Sequence, residues 1–250
     1  KGEINAQPMV VDYIKGKVAI AHNGELTNHK ELKAKYQESG WGFMSDSDAE
    51  IIAKILAKNL AQTDDPVDAM RAMMSELDGA YSLVILINDR LFALRDTYGF
   101  KPLCIGKTLK GHMGVSESNA IDSVGGTFVR DVQAGEIVEI LKDEIKSYPL
   151  EKPMPKAHCM FEWIYFARPD AVIDGREVYD VRKKIGMILA EEAPADVDVI
   201  MPIPDSGRAH ALGYSIMSGI PYEEGFMKNR FADRTFIMPE QKQREFPVSM

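Results

Sequence analysis

The chain has 250 residues, 45% of them apolar, and a formal net charge of −8. That length and apolar content suit one large domain or two ordinary ones and exclude a disordered chain; the acidic balance argues against a binder of nucleic acid or of a membrane surface. No apolar run approaches the ~18 residues of a membrane span and no signal segment opens the chain, so a cytoplasmic protein is expected. Cys104 and Cys159 cannot build a disulfide framework, and neither lies in a close-spaced metal cluster; Cys104, inside Leu103-Cys104-Ile105, reads as a small buried hydrophobe.

The apolar run Val18-Ala19-Ile20 leads into Ala21-His22-Asn23-Gly24-Glu25-Leu26. A side-chain amide followed by glycine at a strand end supplies N–H donors and close backbone approach, which suits a developing oxyanion on a carboxamide. The same Asn-Gly pair is what a type I′ hairpin turn requires, and local sequence alone favours the turn. Residues 29–39 carry helical spacing and stop at Ser39-Gly40. Ser47 with Glu50 forms a capping-box pattern ahead of a helix over 48–60, whose apolar face is Ile51, Ile52, Ile55, Leu56 and Leu60. Asp48 takes the first position of that helix, where a carboxylate is stabilised by the helix dipole. Asp65-Pro66 opens a third helix that ends before Asp78-Gly79. Residues 81–87 and 91–95 then read as strands around an Asn88-Asp89 turn, followed by short runs near 103–106, 112–116 and 135–140. Helices stacked on antiparallel sheet are expected here.

Glu151-Lys152-Pro153-Met154-Pro155-Lys156 reads as a linker, placing a domain boundary near residue 155. Beyond it, apolar 161–166, a helix near 179–192, apolar 197–203, a helix near 208–218 and a run at 220–226 alternate in the manner of a parallel sheet. Pro204-Asp205-Ser206-Gly207 lies between strand and helix, where free N–H groups and the helix dipole favour a phosphate; an ordinary Asp/Ser cap is an equal reading. Lys228, Arg230 and Arg234 then gather three cations among Phe231, Phe236 and Ile237, either as solvated surface or as a loop that closes over a polyanion.

Taken together, these segments resemble the glutamine phosphoribosylpyrophosphate amidotransferase (amidophosphoribosyltransferase) family. The resemblance runs through Ala21 to Leu26, Ser47-Asp48-Ala49-Glu50, Asp78-Gly79-Ala80-Tyr81-Ser82-Leu83, Arg95-Asp96 with Lys101-Pro102-Leu103, Ser116-Glu117-Ser118, Gly135-Glu136-Ile137-Val138, Glu162 with Tyr165-Phe166-Ala167-Arg168-Pro169-Asp170, Pro204 to Gly207, and Lys228 to Pro239. The Asn-Gly and Ser-Asp-x-Glu pieces are shared by amino-terminal-nucleophile amidotransferases at large. Tyr-Phe-Ala-Arg-Pro-Asp and Lys-Asn-Arg with Arg-Thr-Phe-Ile are far more specific.

The resemblance implies two domains of α/β and α+β class. Residues 1–152 would be part of an amino-terminal-nucleophile (class II) glutaminase αββα sandwich, and 153–250 the first half of a type I phosphoribosyltransferase parallel α/β sheet. It implies that Asn23 and Gly24 form the oxyanion hole and hold the amide, and that Asp48 binds the glutamine α-amino group. Ser206 would contact Mg²⁺–pyrophosphate, and Lys228, Arg230 and Arg234 would belong to a flexible loop ordering over phosphoribosylpyrophosphate. Tyr165 and Ile237 match positions near the path of ammonia, which must stay unprotonated until it attacks the sugar. Phe231 stands where tyrosine is common, which removes any hydroxyl role there. Cys159 matches a cysteine that ligates a [4Fe–4S] cluster in one branch; such a cluster takes four cysteines, and the chain offers no second ligand.

The implied reaction makes 5-phosphoribosylamine, glutamate and pyrophosphate from glutamine and phosphoribosylpyrophosphate, the first step of purine synthesis, in a homo-oligomer inhibited by purine nucleotides. The family nucleophile, a cysteine at the mature amino terminus, is absent, as is the acidic phosphoribosylpyrophosphate loop. An internal fragment lacking both ends, inactive alone, is expected, with roughly 80 residues of the first domain preceding Lys1. A catalytically inactive homologue that binds phosphoribosylpyrophosphate or nucleotides is the alternative.

Overall fold

The computed structural model describes residues 3–152 and 154–228. The chain divides into two compact units, Lys1–Glu177 and Val178–Met250.

In the first unit the strands β1 (Met9–Tyr13), β2 (Gly16–Leu26), β3 (Gly79–Ile87), β4 (Arg90–Arg95), β8 (Ile137–Ile140) and β9 (Ile145–Tyr148) form one six-stranded sheet in that order. Every pairing is antiparallel. A second sheet has the order β6 (Gly111–Val115), β5 (Cys104–Thr108), β7 (Thr127–Asp131). Period-two alternation sorts the side chains into two cores. Leu83, Ile85, Phe92, Leu94 and Ile137 face the helices α1 (His29–Glu38), α2 (Asp48–Gln62) and α3 (Pro66–Glu76), meeting Ile52, Ile55, Leu56, Met70 and Met73. Ala93, Val138 and Ile140 face the other way, against Leu103, Ile105 and Val132. The short helix α4 (Ser118–Ser123) covers the outer side of β5, where a Cβ on Gly106 would lie 2.6 Å from Ile121. The layers therefore run helix, sheet, sheet, helix, as the αββα reading requires.

The three expected helices and the strands β3 and β4 form where the spacing puts them. The capping box does not. Ser47 Oγ accepts from Ala49 N at 3.3 Å, but the Glu50 carboxylate turns away to accept from Met44 N at 2.9 Å, Ser45 N at 2.7 Å and Ser45 Oγ at 2.8 Å. It thereby fixes the approach to α2 rather than the helix start itself. Residues 161–166, expected as a strand, form a π-helical turn over Glu162–Phe166, with Ala167 N donating back to Glu162 O at 3.1 Å.

By contacts the two units divide at 177/178. The segment after the linker is held to the first unit by Ala157 N to Tyr98 O (2.9 Å), Cys159 N to Phe100 O (3.0 Å) and the Lys101–Glu162 ion pair (2.6 Å). It then closes with the hairpin β10 (Val172–Ile173) and β11 (Arg176–Glu177).

The described residues of the second unit contain α5 (Val178–Glu192) and α6 (Gly207–Ser218), and among them a parallel bridge, Ile200 to Tyr222, stands where sheet pairing was expected. The helices touch through glycine: a Cβ on Gly186 would lie 1.9 Å from His210 O, and one on Gly213 would lie 1.9 Å from Lys183 O. Only residues without side chains permit so close a crossing.

Candidate active site

Asn23 and Gly24 do not form a hairpin turn. They lie near the end of the eleven-residue β2, Asn23 opposite Ser82 and Gly24 opposite Tyr81 on β3. Gly24 has φ +149°, and a Cβ there would fall 1.9 Å from Ala80 O, so strand pairing itself demands glycine. Asn23 Nδ2 donates to Ser116 Oγ at 3.2 Å, which orients the carboxamide.

Asp48 occupies the first position of α2, with Ser47 as the cap. Its Oδ2 accepts from Leu26 N at 3.1 Å, and its Oδ1 lies 3.1 Å from His22 Nδ1. The carboxylate is thus joined to both sides of the Asn-Gly pair on β2. Burial opposes ionisation of Asp48, but the His22 and Leu26 hydrogen bonds outweigh it and hold the carboxyl below the usual aspartate range. Its outer side borders a cavity of about 490 Å³ lined by Asn5, Ala6, Glu25, His29, Asp46 and Ser47. A fixed anion at the wall of an open acidic cavity can receive an ammonium group.

His22 and Ser116 were given no role from sequence. Both lie inside quoted motifs, but nothing in their spacing shows that one reaches a helix start and the other a neighbouring amide across 93 residues.

The two cysteines differ in their surroundings. Burial pushes the Cys104 thiol up to about 12. Cys159 is half-buried, and no group of three or more His, Cys, Asp or Glu side chains that could hold a metal occurs among the described residues. A [4Fe–4S] cluster at Cys159 would have to take its other ligands from outside the described residues.

In the second unit, Ser206 caps α6 without a side-chain hydrogen bond to the helix, so its hydroxyl is not consumed by capping. Its carbonyl lies 3.1 Å from His210 Nδ1. Lys228 Nζ lies 3.6 Å from Asp205 Oδ2, and Arg208 approaches both Asp205 (3.6 Å) and Glu224 (3.4 Å). Lys228 thus stands beside the loop that carries Ser206. Tyr165, in the π-helical turn of the first unit, is exposed and packs edge-on against Phe166. Arg230, Arg234 and Ile237 lie outside the described residues.

A family model described as a glutamine amidotransferase domain matches residues 1–123. An amidophosphoribosyltransferase of Methanocaldococcus jannaschii is 47% identical over 261 residues, covering 98% of this chain and 55% of the relative. That of Archaeoglobus fulgidus is 44% identical, covering 98% of this chain and 54% of the relative. The solved glutamine phosphoribosylpyrophosphate amidotransferase from B. subtilis, complexed with ADP and GMP, superposes with a TM-score of 0.85 at 36% identity, over 100% of this chain and 55% of that one. The chain spans about half the length of the curated relatives it matches. In sequence and in fold, the chain is similar to amidophosphoribosyltransferases over its whole length.

Proposed function

We propose that the protein to which this chain belongs is a glutamine-dependent amidophosphoribosyltransferase. The observation that carries this reading is the joint placement of Asn23-Gly24 near the end of β2 and of Asp48, bonded to the backbone of the same strand, at the start of α2. Glutamine presents a carboxamide at one end and an ammonium at the other. Asp48 takes the ammonium, while Asn23 Nδ2 and the Gly24 N–H face the amide oxygen and stabilise its charge as the tetrahedral adduct forms. The attacking thiolate is that of a terminal cysteine outside this chain, as the family resemblance implies; the adduct collapses with cleavage of the C–N bond and release of ammonia, and water then hydrolyses the resulting thioester to glutamate and the free thiol.

Ammonia attacks the anomeric carbon of phosphoribosylpyrophosphate, the C–O bond to pyrophosphate breaks, and the amine loses one proton to give 5-phosphoribosylamine. Phosphoribosylpyrophosphate enters as its Mg²⁺ complex, which neutralises the leaving group. The Ser206 hydroxyl and the amides that open α6 suit that anion, with Lys228 leaving Asp205 to join it; Arg230 and Arg234 extend the cationic loop. Tyr165 and Ile237 border the route of ammonia in this reading. Purine nucleotides are the proposed inhibitors, supported by the B. subtilis relative solved with ADP and GMP. The same reading makes the protein a cytoplasmic homo-oligomer and the 250-residue chain inactive by itself.

The test is incubation of the full-length protein with glutamine, phosphoribosylpyrophosphate and Mg²⁺. Glutamate and pyrophosphate should appear in equal amounts; absence of pyrophosphate would overturn the assignment.

A further inference from the structure

Two hydrogen bonds hold the Asp48 carboxylate, one to each oxygen: Leu26 N–H to Oδ2, and the imidazole of His22 to Oδ1, both at 3.1 Å. A carboxylate only accepts, so Nδ1 of His22 carries the proton in this contact. The His22 side chain is 2% exposed and that of Asp48 is 13% exposed, so the pair sits at the inner wall of the cavity with only the acid reaching it. On the far side of the ring, Nε2 is buried and finds no hydrogen-bond partner among the described residues. The ring lies over the neighbouring glycine, where a Cβ on Gly24 would come within 2.9 Å of Nε2.

A buried imidazole with one idle nitrogen is a costly way to fill space. Leucine would occupy such a position without the desolvation of a polar ring. What leucine cannot supply is the donor to Asp48. We propose that His22 is a positioning residue of the glutamine site, fixing the orientation in which Asp48 meets the substrate ammonium; this rests on the assignment of Asp48 made above. Two donors at fixed points set the plane of the carboxylate and leave the remaining lone pairs of both oxygens directed outward. Removing one donor lets the group rotate, so the ammonium must restrain it again on binding. The ring touches no reacting atom, and its effect belongs in substrate binding rather than in the chemical step. Gly24 then has a second reason to lack a side chain, because the ring must cross it to reach the helix start.

The experiment is steady-state kinetics on the full-length protein with His22→Leu, His22→Asn, His22→Gln, Asp48→Asn and the double variant His22→Leu with Asp48→Asn. His22→Leu should raise the glutamine KM about 10- to 100-fold, the range spanned by loss of one hydrogen bond to a charged acceptor, with kcat little changed. Asparagine places its amide N–H where Nδ1 stands and loses Nε2 and Cε1 from the far side of the ring, so His22→Asn should restore KM to within about threefold of the parent. His22→Gln carries the same amide one bond further out and should not. In the Asp48→Asn background His22→Leu should add less than about twofold, because the two residues act as one unit.

A His22→Asn variant as impaired as His22→Gln, or a fully additive double variant, would overturn the inference. So would an unchanged KM in His22→Leu while Asp48→Asn raises it. An unchanged glutamine KM in Asp48→Asn would instead overturn the glutamine site itself. If His22→Leu does not fold, the contrast between His22→Asn and His22→Gln, with equal melting temperatures, decides the matter alone.

Discussion

Arg95, at the end of β4, donates to both carboxylate oxygens of Asp174, Nη1 to Oδ1 at 3.3 Å and Nη2 to Oδ2 at 3.0 Å, across 79 residues of sequence. The remaining guanidinium donors reach Lys101 O (2.7 Å), Val132 O (2.9 Å) and Gly99 O (2.8 Å). Full satisfaction is what allows an arginine side chain to be 1% exposed. Asp174 also meets Lys156 at 2.7 Å and His158 at 2.9 Å, so one carboxylate gathers three parts of the unit.

Replacing Asp174 with asparagine should therefore destabilise the first unit by about 3 kcal/mol, the usual cost of breaking a buried pair and stranding its cation. Urea unfolding followed by tryptophan fluorescence checks this; a midpoint equal to that of the parent would refute it.

The same pair predicts a pH dependence. Burial would raise the Asp174 carboxyl, but hydrogen bonds and charge from Arg95 and Lys156 outweigh it and hold it below its ordinary value of 3.8. A depressed carboxyl contributes stability that is fully present above the unfolded value and is lost as pH falls through the folded one. The stability difference between the parent and Asp174→Asn should accordingly be constant near neutrality and shrink below about pH 4. A difference that grows on acidification would be the wrong sign.

Gly24→Ala should cost at least about 2 kcal/mol, because its Cβ meets a backbone oxygen that cannot move without opening the β2–β3 ladder. The melting temperature should fall. A variant that melts like the parent would show that the ladder tolerates a side chain there.

In the second unit, Gly186→Ala should loosen the α5–α6 crossing despite the better helix propensity of alanine, since His210 O stands in the way. Gly207→Ala meets nothing within 4 Å and should be neutral or slightly stabilising. Circular dichroism melts of the two variants should separate in that order, and equal melts would contradict it.

Native protein exposed to iodoacetamide at pH 8 should be alkylated at Cys159 and spared at Cys104, whose thiol burial pushes up to about 12. Peptide mass spectrometry reads the result, with both sites labelled in denaturant. Native labelling of Cys104 at the same rate would show the strand to be open.

Much of the first unit can be read from local pattern. Ser47, Asp65-Pro66 and the Ile51 to Leu60 face set α2 and α3 because caps and helical period act within a few residues. The strands β1, β7 and β9 carry less legible signals. Each is four or five residues long and half exposed, so its pairing depends on a partner far along the chain. Phe161 to Phe166 misleads for a related reason: a short apolar run does not distinguish strand from helix, and Lys101 reaching Glu162 selects the turn.

The sequence by itself determined the helix starts, the acid at the head of α2, the amide and glycine near the end of β2, and the resemblance to amidophosphoribosyltransferases, because those signals reside in adjacent residues. Only the tertiary structure decided that Asn23-Gly24 lies in a strand and not a turn, that His22 reaches Asp48 while Ser116 reaches Asn23, and that residues after the linker pack with the first unit through Asp174 and Arg95. Each of those outcomes is a contact between residues 26 to 93 positions apart. Such contacts form only when two cores bring their elements together, and no local spacing encodes them.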